Sequence, residues 1–106
     1  MKKIISFFFF INFFIFSQEN EKSTAKDFTV SGFVEDSASG ETLIGVNVYS
    51  SDFKFGTTTN SFGFFSLTIP EGQKDLNFSF IGYDDHTVPI NLIKNIKLNI
   101  EMALSS

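Results

Sequence analysis

Phe64-Phe65-Ser66-Leu67-Thr68-Ile69-Pro70-Glu71-Gly72, followed by Leu76-Asn77-Phe78-Ser79-Phe80-Ile81, carries the clearest strand pattern of the chain. Phe65, Leu67 and Ile69 recur at every second residue against Phe64, Ser66 and Thr68, the period of a pleated strand whose side chains point alternately to two faces. Pro70-Glu71-Gly72 closes that strand as a tight turn. Leu76, Phe78 and Phe80 then repeat the pattern against Asn77, Ser79 and Ile81, so a second amphipathic strand follows the first.

The same period extends in both directions. Upstream, Phe28, Val30 and Val34 alternate with Thr29, Ser31 and Glu35, and Gly32 marks a bulge or relieves crowding. Residues 36–40, Asp-Ser-Ala-Ser-Gly, are a cluster of turn formers, after which Leu43 and Ile44 lead through Gly45 into a strand carrying Val46 and Val48. A short strand over residues 55–59 meets Asn60-Ser61-Phe62-Gly63 and is predicted to return as a hairpin, since Asn caps its own turn and Gly takes positive φ at little cost. Downstream, Gly82, Asp84 and Asp85 interrupt the pattern, residues 86–90 resume it, and Ile96, Leu98, Ile100 and Met102 supply a last alternating strand. No stretch carries a 3.6-residue period. Seven short strands separated by Gly, Pro, Asp and Asn predict an all-β antiparallel sandwich, with a partly open barrel as the alternative.

Composition narrows the function classes. The chain has 106 residues, 42% hydrophobic and 19% charged, with two prolines, no cysteine and no tryptophan. That is too apolar for a disordered tail and has room for one globule. Disulfides and thiolate metal sites are excluded. No arginine and a single histidine leave little with which to clamp phosphate or ligate metal. Beyond the amino terminus six lysines face all twelve acidic residues, so no basic stripe exists to neutralise phosphates, and nucleic acid and anionic membrane surfaces are poor partners.

The amino terminus has its own pattern. Lys2 and Lys3 form a basic region, residues 4–16 an apolar run holding seven of the sixteen phenylalanines, and Ser17 before Gln18 a small residue at a cleavage point. Residues 1–17 read as a secretory signal peptide. As a helix the apolar run is about 20 Å long, short of the roughly 30 Å hydrocarbon core, so no stable membrane span is expected after cleavage. Residues 18–27 are a polar leader, and the domain is expected over residues 28–103.

Candidate chemistry is sparse. In Tyr83-Asp84-Asp85-His86, Asp84 and His86 share a face if the segment is extended, but no glycine-flanked serine elbow accompanies them, so no catalytic residue is assigned. One histidine and two adjacent aspartates build neither a tetrahedral site nor a calcium loop, and no cofactor or metal is expected. Asn77-Phe78-Ser79 fits a glycosylation acceptor pattern and is given no role. Phe62 and Phe64 stand out, because strand parity puts them opposite Phe65, Leu67 and Ile69. If that set is core, Phe62 and Phe64 face solvent or the sandwich end, where they are candidate partner contacts. The plainer alternative has Phe62 folded over the turn and Phe64 packed on a cross-strand neighbour.

Four segments together, Val30-Ser31-Gly32-Phe33-Val34, residues 39–48 (Ser-Gly-Glu-Thr-Leu-Ile-Gly-Val-Asn-Val), residues 59–67 (Thr-Asn-Ser-Phe-Gly-Phe-Phe-Ser-Leu) and residues 78–83 (Phe-Ser-Phe-Ile-Gly-Tyr), resemble the carboxypeptidase regulatory-like domain. The resemblance implies a seven-stranded transthyretin-like β-sandwich, with Tyr83 half-buried at its end. It also implies the usual setting of that family: the periplasmic amino-terminal extension of TonB-dependent outer-membrane receptors, directly after a signal peptide. Asn60 stands where that family usually has aspartate, Thr42 where proline is common, and Phe62 and Phe64 where polar residues are usual. The resemblance therefore implies a non-catalytic, exported interaction domain near the outer membrane, either the extension of a longer receptor or a stand-alone relative. Its protein partner would be a receptor or its complex. Two alternatives are an accessory domain of a secreted carboxypeptidase or other hydrolase, and a transthyretin-like carrier of a small ligand.

Overall fold

The alternation along the first strand becomes β1 (Asp27–Asp36), whose Val30, Val34 and Asp36 are buried while Phe33 faces outward. A computed structural model describes residues 25–106; the expected signal peptide over residues 1–17 and most of the leader over residues 18–27 lie outside the described residues. The described chain holds no helix and continues through β2 (Asn47–Ser50), β3 (Gly56–Thr58), β4 (Phe64–Pro70), β5 (Gly72–Ser79), β6 (His86–Leu92), β7 (Ile96–Lys97) and β8 (Ile100–Met102).

These strands form two sheets. The first has β4 and β7 on either side of β1, with β8 continuing the β7 side, and the second runs β3-β2-β5-β6. Among the described residues no strand pairing joins the two, so the architecture is the sandwich rather than the partly open barrel. Each sheet turns one apolar face inward: Val30, Val34, Phe65, Leu67 and Ile69 from the first meet Val48, Leu76 and Phe78 from the second. Phe65 and Phe78 lock the layers together edge to face, their ring centroids 5.5 Å apart. Pairs of that geometry add to the stabilisation from area burial alone.

Three local expectations are corrected. Asn60 to Gly63 does not turn a hairpin: β3 pairs with β2 in the second sheet and β4 with β1 in the first, so the turn carries the chain across the sandwich. Turn-forming Asn and Gly specify where a chain reverses and are silent about which sheet it enters. The last strand is not antiparallel; β7 and β8 both run parallel to β1. It is also broken in two, and Gly32 explains the break: a Cβ there would collide with the Leu98 carbonyl oxygen, which leans over β1 at this point. The residue expected at a bulge thus accommodates the bulge of its neighbour. Finally, Phe80 lies beyond the end of β5 and is half-buried against Tyr83, whereas Phe78 is fully buried.

Candidate interaction surface

Since β1 and β4 bury Val30, Val34, Phe65, Leu67 and Ile69, their alternate residues make the outer face of the first sheet. At one end of it the Thr29 and Thr68 hydroxyls share a hydrogen bond of 2.8 Å. At the other end the register sets Phe33 opposite Phe64, with ring centroids 5.2 Å apart and planes at 60°. Phe33 keeps 41% of its surface exposed and Phe62, at the tip of the preceding turn, 71%. Phe64 is half-buried. Both predicted contacts therefore lie off the core, Phe62 in solvent and Phe64 against a cross-strand partner. Phe33 is the aromatic that parity alone did not single out, because its role depends on register.

Local backbone chemistry holds this patch in place. The Asn60 side-chain oxygen accepts hydrogen bonds from the Phe62 and Phe64 amides at 2.9 and 3.1 Å, while the Asn60 and Phe64 backbones bond at 2.9 Å. Gly63 takes φ 75°, and a Cβ there would lie 2.6 Å from Thr42 Cβ and 3.2 Å from both Leu43 N and Val34 O. Its carbonyl accepts the Val34 amide at 2.9 Å. The turn is thereby wedged between β1 and the loop before β2, and Phe62 is presented from a braced backbone rather than a loose tip. Beside the patch, Glu35 and Glu101 stand in register on neighbouring strands, which gives its border acidic character.

A second constellation sits where β1 ends. Asp36 is buried; one carboxylate oxygen accepts the Ala38 and Ser39 amides at 2.8 and 2.9 Å, and the other accepts the Tyr83 hydroxyl at 2.6 Å. The Tyr83 hydrogen bond, then the two amides, hold the Asp36 carboxyl below the usual carboxylate range. The same bond, followed by desolvation, raises the Tyr83 phenol. This pair ties the 36–40 turn to the loop after β5 across 47 positions of sequence. The Asp-x-x-x-Gly composition announced the turn; nothing local announced its partner.

The other candidates do not assemble. Asp84 accepts the Ser105 hydroxyl at 3.1 Å, and the His86 ring packs edge-on to Phe78 at 6.4 Å; no hydrogen bond joins Asp84 to His86 among the described residues. Asn77 is engaged on both sides, donating to Ser51 at 2.8 Å and accepting from Thr87 at 2.6 Å. Among the described residues no three His, Cys, Asp or Glu side chains gather into a metal site.

Comparison with known proteins places the chain. Residues 30–106 match the CarboxypepD_reg-like domain. A TonB-dependent receptor, P39 of Formosa agariphila, is 40% identical over 67 residues, which is 63% of this chain and 6% of that receptor's length. Solved structures share the fold at low identity. An X-dockerin–cohesin complex from Acetivibrio cellulolyticus superposes with a TM-score of 0.64 at 17% identity, over 73% of this chain and 58% of that one. The Bacillus anthracis TIE protein gives 0.59 at 18% identity, over 74% of this chain and 17% of that one. With two facing sheets and a match covering the whole sandwich from within β1 onward, this chain belongs to the CarboxypepD_reg-like domain family.

Proposed function

We propose that this chain is an exported, non-catalytic interaction domain that works in the periplasm at the outer membrane, as the amino-terminal extension or a stand-alone relative of a TonB-dependent receptor. Membership of the family and the partial receptor match support the setting. The observation that carries the mechanism is Phe62, held largely in solvent by a braced turn beside the Phe33–Phe64 pair. A few aromatic anchors usually dominate interface energy, and a rigidly presented ring loses little entropy on docking. The acidic border at Glu35 and Glu101 fits a partner whose apolar pocket is rimmed by lysine or arginine.

The test is capture of receptor components by parent and variant from outer-membrane extracts. Phe62→Ser removes the exposed ring without touching the Phe33–Phe64 pair, so strand content and melting temperature stay near the parent's. Association is expected to weaken by about 2 kcal/mol. Equal capture by a folded Phe62→Ser protein rules this surface out.

A further inference from the structure

The outer face of the second sheet, on the far side of the sandwich from the Phe33–Phe64 pair, carries a shallow groove of about 660 Å³. Its floor follows from register. Thr58, Asn47 and Ser79 stand side by side across β3, β2 and β5, and the next row begins with Gly56, whose missing side chain opens the space beside Tyr49. Among the described residues no hydrogen bond engages the side chains of Thr58, Asn47 or Ser79, whereas their neighbour Asn77 is bonded through both its amide nitrogen and its amide oxygen. The wall is aromatic: Phe53 stacks on Tyr49 with ring centroids 5.4 Å apart and planes within 12°.

Phe53 is the informative residue. It adopts φ 62°, the one non-glycine residue among those described in the left-handed region, yet it is 80% exposed. Core packing therefore does not account for a phenylalanine where glycine or asparagine is cheaper. The loop is built to hold it: the Ser50 hydroxyl donates to Asp52 at 2.6 Å, Asp52 accepts the Lys54 amide at 3.0 Å, and the Phe53 amide bonds the Ser50 carbonyl at 2.8 Å. Backbone strain kept by surrounding hydrogen bonds, with an exposed ring as its product, points to a binding role.

We infer that this groove binds a neutral sugar ring, its C–H face on the Tyr49–Phe53 wall and its hydroxyls on Thr58, Asn47 and Ser79. The lining contains no charged side chain, so an anionic ligand gains nothing there and meets the acidic balance of the chain. A purely aromatic ligand would cover the hydroxyl–amide–hydroxyl row without satisfying it, which costs free energy. A pyranose supplies both an apolar face and alternating donors and acceptors.

The test is amide chemical-shift titration of the mature chain with cellohexaose, xylohexaose and mannohexaose, with trigalacturonate and indole-3-acetamide as counter-ligands. At least one neutral hexaose is expected to shift the amides of residues 47, 49, 53, 56, 58 and 79 saturably, with a Kd of about 1 mM as suits an open site. Phe53→Gly relieves the strained φ, so it is expected to melt no lower than the parent while binding about tenfold more weakly. Asn47→Ala is expected to weaken binding with an unchanged fold. Three results overturn the inference: no saturable shift with any neutral hexaose at roughly ten times that Kd, tighter binding of trigalacturonate or indole-3-acetamide, or sugar affinity unchanged in Phe53→Gly.

Discussion

Replacing Gly63 by alanine tests the brace beneath the exposed phenylalanine, and the structure supplies its own control. Two costs combine at this position. The first is conformational: φ 75° is left-handed, which costs a residue with a Cβ about 1–2 kcal/mol. The second is steric. The new methyl would lie 2.6 Å from Thr42 Cβ, a β-branched centre with little rotamer freedom, and 3.2 Å from Leu43 N and Val34 O, which share a 2.9 Å hydrogen bond. Forcing a methyl into such a contact costs about 1–3 kcal/mol more. Gly82 has φ 87°, and a methyl added there would meet nothing within 4 Å, so Gly82→Ala isolates the first cost. A domain of this size has a total stability of about 4–12 kcal/mol, so about 3–4 kcal/mol at Gly63 is a large fraction. In urea unfolding, with a slope near 1 kcal/mol/M, the midpoint is expected to fall by about 3–4 M for Gly63→Ala and about 1–2 M for Gly82→Ala. Equal shifts for the two variants would refute the claim that the turn is wedged between β1 and the 41–43 segment.

Other consequences are open to measurement. Phe78→Ala is expected to cost about 3–5 kcal/mol, because Phe78 is fully buried against Phe65, and half-buried Phe80→Ala clearly less; the reverse order in urea unfolding contradicts the packing. Asp36 has a folded pKa below its unfolded one, so its contribution is present above the ordinary carboxylate range and lost as pH falls through the folded value. Tyr83→Phe removes the largest cause of that shift, so the stability gap between parent and variant is expected to be widest near neutral pH and to narrow below about pH 4. A gap that stays constant into acid denies the coupling. Export with cleavage close to Ser17 is expected to leave Gln18 or a near neighbour first, and intact-mass analysis of periplasmic material that finds residues 1–17 retained rejects it.

What was legible in the sequence and what was not divides along physical lines. The alternation through residues 28–36, 64–70 and 72–79 predicted which side chains are buried, because a pleated strand has a fixed period and one wet face. That same parity placed Phe62 and Phe64 off the core. Pairing was not legible. The crossing at residues 60–63, the parallel course of β7 and β8 and the partnership of Phe33 with Phe64 all depend on long-range register. Phe80 fits the period of β5 yet falls past its last residue, where alternation no longer implies burial. Asp36 and Tyr83 each carry a local signal, for a turn and for packing, and only the fold brings them within hydrogen-bond reach. Phe53 gave no signal at all, since neither its backbone angle nor its stack on Tyr49 follows from periodicity.

Site-specific photocrosslinking in living cells can show which part of the sandwich meets a receptor. A benzoylphenylalanine replaces Phe62 in one strain and Thr87, exposed on the opposite sheet, in another, and both are irradiated in intact cells. The Phe62 probe, and not the Thr87 probe, is expected to join the mature chain to a TonB-dependent receptor or its associated proteins in the outer-membrane fraction. Receptor adducts formed equally from both positions, or from Thr87 alone, would contradict it.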